Sequence, residues 1–238
     1  MLSTTRISYR RHRFSPEVIC HCVWLYYRFQ LSFWDVQEMM AAQGVTVSHE
    51  TIRSWCDKFG RQYARAIRVR MQGDVGDRWH LDEVYTKIAG RIRYVWRGVD
   101  QDGQVIDVLV QSRRDGDAAT RFFKKLRRKA DKAPRLVVTD KLTSYAKPCA
   151  QVLPTSKHVS DKGQKNRAEN SHQPTRQRER RMRKFKSVAQ AQKFLSIYSQ
   201  MCNFFGLVRH TLSARNHRDL FASRLAEWRL LTRSATLT

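Results

Sequence analysis

Residues 79–85 read Trp-His-Leu-Asp-Glu-Val-Tyr, and this stretch decides the fold because it sets a carboxylate inside a buried strand. Its apolar, β-branched and aromatic residues, Leu81, Val84 and Tyr85, are typical of a strand. Asp82 stands among them, and a carboxylate is rarely buried in a strand unless a positive group compensates for its lost hydration. The stretch therefore predicts a core strand that carries a functional acid.

Two further acids have comparable settings elsewhere in the sequence. Asp140 ends a short apolar run that begins at Leu136, and Glu169 lies in a polar, Arg-rich stretch of helical composition. Mg²⁺ prefers oxygen ligands from a few carboxylates, and two such ions can activate an attacking oxygen and stabilise a leaving one. We therefore predict that Asp82 bridges two Mg²⁺ ions, for which Mn²⁺ can substitute, with Asp140 and Glu169 holding one each.

Other acids compete with these three for a metal role: Glu83, Asp100, Asp102, Asp107 and Asp161. Asp100 and Asp102 lie in a Gly-containing turn, which explains them without a metal. Glu83 directly follows Asp82, so strand alternation points it to the opposite face of the sheet. Asp107 can lie on the same sheet as Asp82 and is therefore the main rival.

The charge of the chain indicates its partner. Lys and Arg number 46 against 21 Asp and Glu among 238 residues, which gives a net charge of +25. Such an excess favours a polyanion, above all nucleic acid. A membrane surface is the alternative, but no apolar run approaches the roughly 18 residues of a spanning helix. The basic start lacks the apolar segment of a signal peptide, and no GxxxxGK[ST] loop occurs, so we expect a cytoplasmic protein that uses no ATP.

The five cysteines form no recognisable ligand or disulfide pattern. No CxxC pair occurs, so neither a zinc finger nor a disulfide framework is supported. Cys20-His21-Cys22 looks like a ligand cluster, but adjacent residues of a helix point in different directions. We therefore favour small buried thiols.

Changes in composition divide the chain into five segments. Residues 1–14 are basic and without periodicity, and we expect a mobile arm there. Residues 15–72 show helical spacing and form the predicted DNA-binding domain, which a Gly- and Asp-containing linker follows at 73–77. Residues 78–205 change to a strand pattern and form the predicted catalytic domain, and 206–238 are a helical extension.

The first domain has the pattern of a helix-turn-helix. A first helix begins at Ser15, a second runs from Ser32 to Gly44, and a third from Ser48 to Gly60. In a helix-turn-helix the last of these lies in the major groove of DNA. Its residues that point away from its own core are His49, Glu50, Arg53, Ser54 and Lys58. Arg53 is the candidate for a base edge and Lys58 for a phosphate. The alternative is a small helical packing unit, which the charge of the chain disfavours.

The second domain has the pattern of a mixed α/β (α+β) fold. Three strands joined by turns make an antiparallel meander, and a helix then crosses over to a parallel strand beside the first. The segments are strands at 78–87, 91–99, 105–111, 136–140 and 157–159, and helices at 115–130, 142–150, 188–205 and 216–231. This order is the start of a ribonuclease-H-like fold with helices on both faces of the sheet, and it brings Asp82 and Asp140 side by side.

A dense run of positive charge follows the third acid. Between Arg176 and Lys186 there are seven Lys or Arg and one acid. Such a run is usually solvated or disordered, but its proximity to Glu169 favours a helix face that contacts DNA. The basic residues of this face include Arg180, Arg183 and Lys184. Pro174 either kinks the helix or ends a short turn that carries Glu169.

Four motifs follow one another along the chain: Trp79–Tyr85, Ser112-Arg113-Arg114, Thr139-Asp140-Lys141 with Ser144-Tyr145, and Asn166–His172. Each motif alone is weak, but in this order they are specific. The chain resembles a DDE transposase of a bacterial insertion sequence, most closely of the insertion-sequence-six family. With the N-terminal helix-turn-helix, the resemblance covers nearly the whole chain.

The resemblance implies roles for particular residues. It implies that Asp82, Asp140 and Glu169 are the catalytic triad of a Mg²⁺-dependent polynucleotidyl transferase with an integrase-like catalytic core. It also implies that Arg176 contacts terminal DNA and that His172 matches a histidine of the family. The 28 residues between the second and third acids are fewer than the family's usual spacing, which we interpret as a shortened loop.

The sequence thus predicts a transposase that binds the terminal inverted repeats of its element, cuts their 3′ ends and joins them to target DNA. The resemblance implies replicative, cointegrate-forming transposition by a homodimer or larger assembly. One alternative is a non-catalytic DNA-binding protein or an inactive copy, which has no use for three converging carboxylates. Another is a nuclease for RNA–DNA hybrids, which leaves the helix-turn-helix unexplained because A-form duplexes hide the major groove.

Overall fold

The computed structural model describes residues 7–71, 73, 75–130, 132–139, 143–160, 177–178, 185–206 and 212–233. The chain divides into two compact units, one of residues 1–70 and 200–238 and the other of residues 71–199. The elements are α1 (Pro16–Arg28), α2 (Phe33–Ala42), α3 (His49–Arg70), β1 (Arg78–Ile88), β2 (Arg91–Asp100), β3 (Val105–Gln111), α4 (Gly116–Arg127), β4 (Leu136–Thr139), a 3₁₀ turn (Thr143–Tyr145), α5 (Ala146–Val152), β5 (Lys157–Ser160), α6 (Val188–Phe205) and α7 (Ala214–Thr232). Among the described residues, no helix is both long and apolar enough to span a membrane.

The first two helices begin at the capping residues that the sequence predicts. The Ser15 hydroxyl accepts a hydrogen bond from the Val18 N–H at 3.4 Å, and Pro16 takes the first helical position. Ser32 forms a capping box with Asp35, in which each side chain accepts a backbone N–H of the other residue. The predicted starts of α1 and α2 are therefore confirmed.

Gly60 does not end the third helix, so that prediction is wrong. The helix α3 continues through Gly60, which is buried in its middle. A mid-helix glycine costs about 1 kcal/mol relative to alanine. The apolar stripe continues beyond it through Tyr63 and Ile67, which are both fully buried. Burial of this stripe outweighs the low helix propensity of one glycine.

Part of the predicted basic arm is packed, so the prediction of a mobile arm over residues 1–14 is wrong for the described residues 7–14. Ile7 and Tyr9 are buried, and the Tyr9 ring stacks on Phe59 with 4.8 Å between ring centroids. The Tyr9 hydroxyl lies 2.7 Å from the Tyr63 hydroxyl and donates to a carbonyl of α7. Two apolar side chains thus decide the placement of a segment whose composition is mostly basic.

The C-terminal helix packs in the same unit as α1, α2 and α3. Trp228 of α7 is buried, and its ring centroid lies 5.1 Å from that of Tyr63 and 5.9 Å from that of Phe205. These contacts join the last helix to the long helix α3 and to the end of α6. The C-terminal extension is therefore part of the N-terminal helical unit.

The second unit is built on a five-stranded sheet with the order β3-β2-β1-β4-β5. The strands β1, β2 and β3 pair antiparallel, whereas β4 pairs parallel to β1 and β5 parallel to β4. Ala89 and Gly90 connect β1 to β2 and both have positive φ, 49° and 75°, as a two-residue type I′ turn requires. This mixed sheet with its helices confirms the predicted ribonuclease-H-like fold.

The helix α4 covers one face of this sheet. Its apolar side presents Phe122, Phe123 and Leu126, all fully buried, and the Phe122 ring lies 5.9 Å from that of Trp96 on β2. Gly98 permits a close approach, because a Cβ there would lie 3.0 Å from both terminal methyl groups of Leu126. This packing fixes which side chains of the central strand point toward α4 and which point to the other face.

Candidate functional site

Asp82 lies in β1, the central strand of the sheet, and is 5% exposed. Its directly paired residue on β2 is Arg97, which is 3% exposed. Paired residues of neighbouring strands point to the same face, with Cβ atoms about 5 Å apart. Arg97 therefore lies beside Asp82 on the same face of the sheet, where a positive group can offset the burial of the carboxylate. Sequence reasoning did not identify this arginine.

The strand that precedes the second acid runs beside β1, as predicted. The parallel pairing of β4 with β1 reaches Val138 opposite His80. Asp140 and Glu169 themselves lie outside the described residues, as do the predicted DNA contacts His172, Arg176, Arg180, Arg183 and Lys184. Within the part of the chain that the structure describes, no group of three His, Cys, Asp or Glu could hold a metal ion. The structure thus places one of the three predicted ligands, whose carboxylate oxygens suit Mg²⁺.

Asp107, the main rival for a metal role, has a structural partner instead. It pairs with Gly98, so it points to the α4 face of the sheet, away from the Asp82 face. Its carboxylate lies 3.3 Å from the Lys125 ammonium of α4 and accepts the Val108 N–H at 2.8 Å. Asp107 therefore does not share a site with Asp82.

Asp100 stabilises the turn between β2 and β3, as the Asp and Gly residues of this turn predict. Its carboxylate accepts backbone N–H groups of Asp102 at 3.0 Å, Gln104 at 2.9 Å and Gly76 at 3.2 Å. Burial raises the pKa of the Asp100 carboxyl, and these three hydrogen bonds oppose that effect. Asp161, the remaining competitor, lies outside the described residues.

Glu83 points to the α4 face, opposite to Asp82, and meets two other motif residues there. Its carboxylate accepts hydrogen bonds from the Arg114 guanidinium and from the Tyr145 hydroxyl. We call Glu83, Arg114 and Tyr145 the Glu83 cluster. All three residues belong to the motifs on which the family resemblance rests, but no function was predicted for any of them from the sequence.

Three of the residues predicted to read DNA lie on the open surface of α3. Glu50, Arg53 and Ser54 are exposed. The Arg53 guanidinium is 3.2 Å from the Glu50 carboxylate and lies over the Phe33 ring of α2, 5.4 Å from its centroid. An exposed ion pair of this kind contributes little to stability, so Arg53 can exchange it for a DNA contact at small cost.

Two other predicted DNA contacts are engaged within the protein. The His49 ring stacks on Trp34 of α2 with 3.9 Å between centroids, and the His49 backbone N–H donates to the Gln37 side-chain oxygen at 2.6 Å. His49 is half-buried and its ring also lies 3.3 Å from the Glu50 carboxylate, so its contact with DNA stays a prediction. Lys58 is exposed, and its ammonium lies 2.7 Å from the His12 ring. The pKa of the His12 ring is lowered by burial and by the positive charge of Lys58. His12 therefore accepts from Lys58 as a neutral ring.

The cysteines confirm the interpretation as small buried thiols. None of the five, all of which the structure describes, forms a disulfide; four are buried, and Cys202 is half-buried. Burial raises the pKa of Cys22 to about 12 and that of Cys149 to about 11. Thiols with such values are protonated near neutral pH, so neither residue is a ready nucleophile or metal ligand.

Comparison with known families identifies the class of protein. The family model described as DDE domain, of the IS240 transposase type, matches residues 76–206, which is more than half of the chain. The chain therefore belongs to the DDE transposases. Within them it is an insertion-sequence transposase of the insertion-sequence-six family, as the sequence motifs predict.

Two curated relatives of the chain are also transposases of insertion sequences. The chain is 29% identical over 178 residues to the transposase for insertion sequence element IS257 in transposon Tn4003 of Staphylococcus aureus, which is 73% of this chain and 79% of that protein. The same figures hold for the transposase for insertion sequence-like element IS431mec of Staphylococcus aureus strain Mu50. Among solved structures, a chain of the simian T-cell lymphotropic virus intasome matches 70% of this chain and 58% of its own, with 13% identity and a TM-score of 0.43.

Proposed function

We propose that this DDE transposase binds the terminal inverted repeats of its insertion sequence, cuts their 3′ ends and joins those ends to target DNA. The observation that carries the proposal is Asp82, a carboxylate buried at the centre of a ribonuclease-H-like sheet in a chain of the DDE family. A purely DNA-binding protein has no use for a charge in that position. Replicative, cointegrate-forming transposition is part of the proposal.

The proposed metal ligands are Asp82, Asp140 and Glu169. The DDE family depends on divalent metal ions, and two Mg²⁺ ions are our proposal for this chain. The described pairing of β1 and β4 ends where His80 lies opposite Val138. Asp82 comes two positions after His80 in the sequence, and Asp140 comes two positions after Val138. Both acids thus follow this pair at the same distance along the sequence, which supports a site shared by the two. When bound, Mg²⁺ would supply Lewis-acid activation of the attacking oxygen and stabilise the charge of the leaving oxygen.

The proposed reaction needs no covalent intermediate on the protein. In the first step water attacks the terminal phosphodiester, the P–O bond to the 3′ oxygen breaks, and a free 3′-OH is left. In the second step this 3′-OH attacks a phosphodiester of the target DNA, and one P–O bond forms as another breaks. The chain's own part is to hold the carboxylates at fixed positions, and Arg97 offsets the cost of burying the charge of Asp82.

For recognition, we propose that α2 and α3 form a helix-turn-helix that places α3 in the major groove of the terminal repeat. Arg53 is the proposed reader of a base edge, and Glu50, Ser54 and Lys58 adjoin it. Arg176, Arg180, Arg183 and Lys184 of the basic run are proposed to contact the DNA backbone near the cut. Arg178 of the same run is buried, with its guanidinium over the Phe194 ring. We infer a homodimer or larger assembly that works on DNA in the cytoplasm, without ATP.

The test is 3′-end nicking of a labelled duplex that carries the element's own terminus, in the presence of Mg²⁺ or Mn²⁺. We expect a nick at the 3′ end and, with added target duplex, a joined product. An RNA–DNA hybrid of the same sequence serves as the competing substrate. Binding of the terminus without nicking would identify a DNA-binding protein or an inactive copy, and preferential cutting of the hybrid would identify a nuclease instead.

A further inference from the structure

The Glu83 cluster joins three segments of the second unit at one buried carboxylate. Glu83 follows Asp82 on β1, and its side chain is 1% exposed. Arg114 comes from the loop between β3 and α4, and Tyr145 from the 3₁₀ turn after β4. Both donate to the Glu83 carboxylate, Arg114 to one oxygen and Tyr145 to the other.

The tyrosine of the cluster is fixed by the core. Tyr145 is fully buried, and its ring packs edge-on against Trp96 at 5.5 Å and Phe123 at 6.2 Å between centroids. Because the ring cannot turn toward solvent, its hydroxyl presents a donor at a fixed place. The Arg114 side chain is 40% exposed and reaches the same carboxylate from the protein surface. Charge-assisted hydrogen bonds of this kind are roughly twice as strong as neutral ones.

The cluster lies next to both strand segments that bear the proposed acids. Glu83 is adjacent to Asp82 in the sequence, and strand alternation places the two carboxylates on opposite faces of β1. Tyr145 follows Thr139, the last residue of β4, by six positions, and Asp140 lies between them in the sequence. One carboxylate thus connects the strand of the first acid to the segment that follows the second.

We propose that Glu83 is a positioning residue for the DDE reaction, and that Arg114 and Tyr145 act through it. The inference rests on the proposed function of this site. Glu83 holds the backbone of Asp82 and the segment after β4 at a fixed separation, without touching metal or DNA itself. Groups that hydrogen-bond directly to metal ligands typically change metal affinity or activity about 10–100-fold when they are removed, and Glu83, which acts through the backbone, should lie at the lower end of that range.

Three conservative variants of the full-length protein test the proposal. Glu83→Gln keeps the shape and removes the charge, Tyr145→Phe keeps the ring and removes the hydroxyl, and Arg114→Lys keeps the charge and removes the two-pronged contact. Asp117→Asn, an exposed acid in the first turn of α4, is the matched control. The first readout is Mn²⁺ binding by electron paramagnetic resonance, and the second is the Mg²⁺ dependence of single-turnover cleavage, each corrected for the folded fraction from thermal unfolding.

We expect Glu83→Gln to weaken Mn²⁺ binding and to raise the half-saturating Mg²⁺ concentration about 10-fold or more, with DNA binding unchanged. Tyr145→Phe and Arg114→Lys should shift both in the same direction by smaller factors, and Asp117→Asn should match wild type. Metal binding equal to wild type in Glu83→Gln, with only a lower melting temperature, would show a merely structural role and overturn the proposal. If Glu83→Gln lost Mn²⁺ binding as completely as Asp82→Asn, while Tyr145→Phe and Arg114→Lys bound Mn²⁺ like wild type, Glu83 would be a metal ligand. That result would also overturn the proposal. A wild type that binds Mn²⁺ but does not cleave counts against the proposed function alone, because the binding arm still decides the role of Glu83.

Discussion

Replacing Lys125 by methionine should destabilise the second unit while leaving the cleavage chemistry of the folded protein unchanged. The Lys125 ammonium lies 3.3 Å from the carboxylate of Asp107, which is 3% exposed. The Val108 carbonyl that also accepts from this ammonium keeps a second donor, the Gln192 side chain at 2.9 Å. The main consequence of the substitution is therefore a buried carboxylate that has lost its counter-charge.

The expected loss of unfolding free energy is about 2–3 kcal/mol, below the roughly 3–5 kcal/mol typical for a fully buried pair. The reduction reflects the 20% exposure of Lys125, since water screens part of the interaction. In the double variant Lys125→Met, Asp107→Asn no charge remains in the pair. Most of the loss should then be recovered, with a coupling energy of at least about 1 kcal/mol.

Hydrogen exchange of the full-length protein, followed by mass spectrometry, measures this loss within one unit. Peptides that cover β2 and β3 report the free energy of opening of the sheet. Lys124→Met, at an exposed position of the same helix, is the matched control and should change the opening free energy little. A change of less than about 0.5 kcal/mol in the opening free energy of Lys125→Met would contradict a stabilising role of this ion pair. Loss of Mg²⁺-dependent cleavage in Asp107→Asn would contradict a purely structural role of Asp107.

Three further substitutions have defined outcomes. Gly98→Ala should cost about 1–3 kcal/mol in urea unfolding, because its new methyl group meets Leu126 at 3.0 Å, and an unchanged midpoint would show that α4 can move away. Burial lowers the pKa of the His158 ring in the folded protein. The stability that the neutral ring contributes is therefore present above the pKa of about 6.5 in the unfolded chain, and it is lost as the pH falls through the folded-state pKa. His158→Asn, which can keep the contact with Thr139, should therefore lose less stability than wild type in unfolding series between pH 7 and 5, and equal losses would contradict this. Arg53→Ala should lower affinity for the terminal repeat more than for unrelated DNA at the same salt concentration, whereas an equal loss on both would make Arg53 a backbone contact.

Local chemistry made most of the second unit predictable from sequence. The alternation in β1, the type I′ turn at Ala89 and Gly90, and the apolar stripe of α4 each specify one element without knowledge of the rest. The crossover rule then places β4 beside β1, which is why the surroundings of Asp82 could be anticipated. Errors arose where tertiary packing overrode local preference, as in α3, where a buried stripe carries the helix through Gly60.

Partners that lie far apart in the sequence could not be predicted. The contacts of Glu83 with Arg114 and Tyr145 span 31 and 62 positions, and strand alternation says only which face Glu83 takes. The position of Arg97 opposite Asp82, by contrast, could have been predicted from the sequence. An arginine in the apolar run of β2 is buried only when it is paired, and the hairpin register, which its two-residue turn fixes, sets it opposite Asp82.

We propose that Asp82, Asp140 and Glu169, and not Asp107, carry the chemistry, and one set of variants distinguishes these residues. Nicking of the element's labelled terminus with Mg²⁺ would be compared among wild type, Asp82→Asn, Asp140→Asn, Glu169→Gln and the control Asp107→Asn, with DNA binding measured in parallel. We expect the three triad variants to bind the terminus without nicking it, whereas the control, corrected for its folded fraction, nicks like wild type. Nicking that survives in any triad variant, or that is lost in the control, would contradict it.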